Sequence, residues 1–339
     1  MKTPTSTRRT LLRLTGLALA LAAGTALADS EPFPNRSITI IVPYSAGTGS
    51  DSLARAIGQA VAEKSHQSVV VENHDGGGSL VGTLAAARAR PDGYTILIVA
   101  NPFVIGPTQR NPPPYDPIKD FQPIAKVAII PLVLASTVSL PVKNIGELVA
   151  YARANPGKLS YASSGPGTIS QQEMEVFKDA AGLDIVEVGY KSTAQALTDV
   201  IGGHVPLFPV VVSSVLPHLK AGRIHVLGVF DVRRSPLIPD IPSMSEALGL
   251  PGYTPTPVWY GFVAPAGTPR EAMQALSALF QGAMQTQAVK DRLSELGAQP
   301  ISPSNEQFVA DMKAETAKAA ELFKRSSASA GAVEGKARP

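Results

Sequence analysis

The chain has 339 residues, no cysteine, 17% charged side chains and a formal net charge of +3. Without thiols there are no disulfides and no thiolate metal sites. The positive balance sits at the start: residues 1–28 hold Lys2, Arg8, Arg9 and Arg13 and no acid, so the remainder has 26 basic against 27 acidic residues, net −1, which gives no pull toward nucleic acid or anionic lipid.

That opening reads as a signal peptide over 1–28: a basic start, an apolar stretch over 14–23, and the small-x-small site Ala26-Leu27-Ala28. The stretch is about half the ~20 residues a membrane-spanning helix needs, and "VAIIPLVLA" farther on is short and broken by Pro131. The expected destination is the periplasm, with Arg8-Arg9 leaving both the general and the twin-arginine route open.

From "SITIIV" onward, strand-length apolar runs alternate with helix-period stretches: Ser52 to Glu63, then "SVVVE", Leu80 to Arg88 and "YTILIVA". Near-continuous Ile/Val strands separated by amphipathic helices predict an α/β fold with parallel strands covered on both faces. The proline-rich segment from Asn101 to Gln122 predicts a long surface excursion. The alternation then resumes with helices at 145–155, 169–181, 193–201 and 214–221 between strands "KLSYA", "DIVEV", "HVPLFPVVV" and "IHVLGVF". A second proline-rich crossing precedes strand "VWYGFVAP" and two helices, one opening at Thr268-Pro269-Arg270-Glu271 and one at Ser304-Asn305-Glu306-Gln307. Two crossings divide the chain into one lobe over 29–130 plus 254–326 and a second over 131–253, with a fraying tail over 327–339. Such a pair of lobes closes about a hinge.

Three strand-to-helix junctions share one chemistry. Thr48 and Asp51, Thr168 and Gln171, and Ser192 and Gln195 each have capping-box spacing at a helix start rich in small residues. Backbone amides at such ends attract anions, and in an open α/β sheet they lie where ligands bind. Any one alone is better read as an ordinary structural cap; three facing a common cleft would reverse that reading. Asp51 reads as a cap, since its charge would repel a bound anion. A phosphate loop is excluded because no Gly-x4-Gly-Lys-Ser/Thr occurs, and Gly47-Thr48-Gly49 lacks the third glycine of a dinucleotide loop, which "HDGGG" does not supply. The five histidines are scattered, with no zinc-binding spacing. Lys191 is a candidate partner for a carboxylate, and Tyr44, Tyr190 and Trp259 are candidate walls of the cleft or plain core residues. An exported hydrolase using Ser164 in "SSGPG" remains the alternative from another class.

The stretch from "SITIIVPYSAGTGSDSLARA" to "RPDGYTILI", with "LSYASSGPGT", "GLDIVEVGYKSTAQALTDVIGGHV", "LPHLKAGRIHVLGV", "RRSPLIPDIPSMSEALGLPGY" and "WYGFVAPAGTP", resembles the Bug/TctC extracytoplasmic solute receptors of tripartite tricarboxylate transporters. The resemblance implies a two-lobed periplasmic binding protein with a hinge and an interlobe cleft. It would be a monomer and not an enzyme, without metal or cofactor, handing a small organic carboxylate to a two-component membrane permease. The implied ligand loops match Tyr44, Ser45, Ala46, Gly47, Thr48, Gly49, Ser50 and Asp51 on one side, and Ser163, Ser164, Gly165 and Thr168 on the other; Tyr190 and Lys191 join the second side. The chain departs from the family pattern at Gln171, where many members carry His, and at Val210 and Val211, where an Asp-Asn pair is common. With Val210 facing the site, the expected ligand is an aromatic or otherwise apolar carboxylate. A ligand-sensing receptor for a signalling partner is a further alternative.

Overall fold

The computed structural model describes residues 32–336 except 164, 166, 167, 191, 250–252 and 254, with side chains to residue 324. The expected signal peptide therefore lies outside the described residues. Two sheets organise the chain. The first takes β1 (Ile38–Val42), β2 (Val69–Asn73), β3 (Thr95–Ala100), β4 (Phe121–Ile130), β10 (Val258–Pro265) and β11 (Gln299–Pro300) in the order β11-β4-β10-β3-β1-β2. The second takes β5 (Leu132–Thr137), β6 (Leu159–Ser163), β7 (Ile185–Gly189), β8 (Leu207–Val211) and β9 (Ile224–Val229) in the order β7-β6-β8-β5-β9.

Both sheets are sandwiched by helices, as near-continuous apolar strands require. On the first, α1 (Gly49–Ser65), α9 (Arg270–Met284) and α10 (Gln287–Glu295) bury Leu53, Ile57, Phe280 and Leu293 against one face. The other face takes α2 (Leu80–Ala87), α3 (Pro102–Ile105) and α11 (Asn305–Lys336), with Phe103, Phe308 and Met312. On the second sheet, α4 (Ile145–Ala154), α5 (Ile169–Ala181) and α8 (Met244–Leu248) cover one face with Leu148, Phe177 and Met244. The opposite face is covered by α6 (Thr193–Ile201) and α7 (Val212–Lys220) with Ala196, Val200 and Val215.

The sheets are mixed rather than wholly parallel. β4 and β5 are separated by Pro131 alone, so the chain runs almost straight from one sheet into the other. β5 then lies antiparallel to β8 and β9, and the returning β10 lies antiparallel to β3 and β4. The segment 101–122 is not a surface excursion: α3 and a 3₁₀ turn over Gly106–Gln109 bury Phe103, Val104, Ile105 and Tyr115. The prolines there start or cap turns, and the apolar residues between them enter the core. The second proline-rich segment likewise contains α8, capped by Ser243 on the Glu246 amide. At α9 the expected Thr268 cap is absent; its hydroxyl donates to the Pro265 carbonyl instead, and Pro269 is the cap residue. At α11 the Ser304 hydroxyl does accept from the Gln307 amide, and the backbone stays helical to Lys336, past residue 327 where a tail was expected.

The register sets where the loops lie. Val258 pairs with Ile130 and Tyr260 with Ala100, so the carboxyl end of β3, and with it that of parallel β1, is on the edge where the chain crosses between sheets. Leu132 pairs with Val211, which puts the carboxyl ends of β8, β6 and β7 on the facing edge.

Candidate functional site

The loop after β1 follows a strand end on one side of that crossing, the loops after β6 and β7 follow strand ends on the other, and the first loop's conformation is set from within. Gly47 adopts φ +81, which suits glycine. Its amide donates to Asp51 Oδ2 at 2.8 Å, while Thr48 Oγ1 accepts from the Asp51 amide at 3.4 Å and donates to the Ser45 carbonyl. Asp51, 4% exposed, also accepts from Asn73 and pairs with Arg55. Burial opposes its charge, but the bonds from Arg55, Gly47 and Asn73 outweigh it and hold its pKa below the usual carboxylate range. The reading of Asp51 as a cap therefore stands, and its charge occupies the positive end of α1. The Ser45 hydroxyl is bonded to Asp75 of the loop after β2. Among the described residues the amides of Ala46, Gly49 and Ser50 have no acceptor. Gly49 lies close under Tyr260, where a β-carbon would stand 3.3 Å from the phenol oxygen, and Ser50 is buried beside that hydroxyl. Tyr44 points its hydroxyl inward, near Ser79, Tyr115 and Tyr260, and burial pushes its pKa up.

The second and third loops are tied together. Ser163, fully buried, donates to Glu187 of β7 at 2.5 Å and accepts the Gly165 amide at 3.0 Å, and its carbonyl accepts the Tyr190 amide at 2.9 Å. Gln171, in the first turn of α5, donates to the other Glu187 oxygen at 3.0 Å instead of closing a capping box. Thr168 turns its hydroxyl to the Gly165 carbonyl and to Ser170, and Ser192 makes no side-chain cap, so neither expected box forms. Neither α5 nor α6 carries an acidic residue in its first turn. Among the described residues the amides of Ile169, Thr193, Ala194 and Gln195 lack acceptors. Tyr190 donates to Asp199 at 2.8 Å, and burial together with that carboxylate raises its pKa to about 12.

Ser164 and Lys191 lie outside the described residues. Val210 is not part of the cleft: it is 3% exposed and packs with Val133, Ala196, Val200 and Val215 in the core beneath α6 and α7. Alternation along β8 turns it away from the face that Val211 shares. Trp259 is also core, edge-on to Phe308, with its indole N–H on Glu315 at 2.7 Å. Asp75, Glu187 and Asp199, the carboxylates that hold the loop hydroxyls, were not anticipated. Their signal was an acidic residue on the strand or loop beside each hydroxyl, which acquires meaning only when the strand pairing is known. Among the described residues no group of His, Asp and Glu has the arrangement of a metal site.

A family model described as the tripartite tricarboxylate transporter family receptor, TctC, matches residues 53–327. The chain belongs to that family. It is 31% identical over 306 residues to Protein BugT of Bordetella pertussis, covering 89% of this chain and 93% of BugT. Among solved structures it resembles the periplasmic binding protein BugD, at 32% identity and TM-score 0.74, covering 86% of this chain and 98% of that one. It also resembles Rpa4515 of R. palustris, solved with adipate, at 33% identity, TM-score 0.74 and the same coverages. The two-lobed periplasmic binding protein fold and the solute-receptor class follow from these matches, and the TctC relatives are receptors rather than enzymes. No helix among the described residues is long and apolar enough to cross a membrane.

Proposed function

We propose that this TctC receptor is exported by its 1–28 signal peptide, captures a small organic carboxylate between its lobes, and delivers it to a two-component membrane permease. The observation that supports this most is the opposition of three helix amino termini, those of α1, α5 and α6, across the crossing between the sheets. Their unfilled amides suit an anion, and Rpa4515, of the same fold, was solved with adipate.

The three ends are not equivalent. Asp51 already occupies the end of α1, whereas α5 and α6 have no acid in their first turns. The ligand carboxylate accordingly seats on the second lobe, at Ile169 and the Thr193–Gln195 amides, and the rest of the ligand meets Ala46, Gly49 and Ser50 on the first. With Val210 in the core, the expectation of an aromatic or apolar ligand keeps only Val211, which is partly exposed, and aliphatic carboxylates such as adipate stand first.

The test is a thermal-stability screen of purified protein against adipate, other aliphatic mono-, di- and tricarboxylates, aromatic acids and amino acids. A carboxylate at 100 times its Kd should add about 2.7 kcal/mol. Stability unchanged by every acid, or hydrolysis of an ester abolished by Ser164→Ala, would overturn the receptor reading. Binding in vitro with uptake intact after gene deletion would favour a signalling partner over a permease.

A further inference from the structure

The helix α11 belongs to the first lobe by two anchors. Asp311 accepts from Lys126 of β4 at 2.6 Å, and Glu315 accepts from Asn101 and from Trp259, each at 2.7 Å. One turn farther on, Lys318 leaves that lobe. Its Nζ donates to Thr256 Oγ1, in the segment leading back into β10, at 2.7 Å, and to Glu173 Oε1 of α5, in the second lobe, at 3.1 Å. Glu173 is fully buried, one turn beyond the α5 start that carries the second-lobe loop.

We propose that Lys318 is the interlobe tie of this receptor: anchored on α11, it holds α5 to the crossing segment, so that the second-lobe ligand loop and the hinge move together. The proposal rests on reading the interlobe cleft as the ligand site. Lysine suits the role because its ammonium is a compact charge with three donors on a flexible stem, able to keep two acceptors while their separation changes. The seam around the tie is also incompletely satisfied in this lobe arrangement. Both polar side-chain atoms of Gln172, Glu173 Oε2 and Tyr253 Oη are buried without a hydrogen-bond partner. Buried polar groups are normally paired, so this seam contributes less to holding α5 against α11 than a fully satisfied one would.

The variant that tests this is Glu173→Gln with Lys318→Met, which removes both charges and leaves neither buried alone. Small-angle scattering is read on the ligand-free full chain. For a compact chain of this length the radius of gyration is roughly 20 Å, and cutting the tie should raise it by about 1 Å as the lobes part. Trp259 is the sole tryptophan and sits on the first-lobe side of the tie, so its emission should stay as in the wild type. An unchanged radius with unchanged emission overturns the proposal. If the emission shifts because α11 has come loose, Thr256→Val, which cuts one contact of Lys318, replaces the double variant. A smaller rise then supports the tie and no rise overturns it. Because no ligand is present, a wild type that binds no carboxylate would sink the receptor reading without bearing on this comparison.

Discussion

Glu315 shows what a single buried carboxylate does here. Burial pushes its pKa from 4.5 to about 7, against the bonds from Asn101 and Trp259, and Glu173 nearby adds to the rise. The folded state therefore holds this proton more tightly than the unfolded chain. The stabilisation from that proton is complete below about pH 4.5 and is lost as pH rises through 7. Glu315→Gln does not titrate, so between about pH 5 and 8 the wild type should lose about 3 kcal/mol relative to the variant in urea melts. A constant difference across that range would show that the carboxyl is ionised throughout. Gly82 acts through space rather than charge. A β-carbon there would lie 2.7 Å from Pro43 Cα and 2.9 Å from the His74 carbonyl, backbone atoms of the residues that directly follow β1 and β2. Gly82→Ala should destabilise by about 2 kcal/mol and weaken carboxylate binding, measured by denaturation and calorimetry on the same sample.

At the scale of elements, each candidate loop is held by a carboxylate on a neighbouring element, and this divides shaping from binding. Asp51 fixes the β1–α1 turn by taking the Gly47 amide, and Asn73 on β2 ties Asp51 to the Tyr44 carbonyl. Asp51→Ala removes a cap and leaves buried donors unpaired, a loss of about 2 kcal/mol, read from the denaturation midpoint at unchanged slope. Glu187 does the same for the second lobe, joining β6 to the start of α5 through Ser163 and Gln171. Glu187→Ala removes the link between Ser163 and Gln171, and binding of the best carboxylate in the screen should fall about tenfold, a cost of about 1.4 kcal/mol, with secondary structure intact by circular dichroism. An unaltered affinity would mean that the Ser163–Thr168 loop does not meet the ligand.

For the whole molecule, a ligand can close the lobes only through contacts that differ between the open and closed arrangements, so donors on both sides of the crossing must reach it. Helix placement was largely legible in the sequence: α5 over 169–181 and α6 over 193–201 were read with the bounds the structure has, because their apolar residues repeat at helical spacing between glycine and proline signals. β10 was legible as an unbroken apolar run. The proline-rich segment 101–122 was misread because composition reports how often a residue breaks an element, whereas Phe103 and Tyr115 respond to the apolar face of the sheet beside them. The antiparallel β5 and β10 were invisible for a similar reason, since strand direction depends on partners far away in the chain. Local pattern by itself determined that this is an α/β chain with small-residue loops at helix starts, and its ordered motifs determined the family. Only the tertiary structure decided that those loops follow strand ends lying at the crossing between the sheets, that Asp51, Asp75 and Glu187 have already claimed several of their donors, and that Val210 belongs to the core. Hydrogen bonds and burial are properties of pairs, and the members of these pairs are brought together by strand register, which no local stretch of sequence contains.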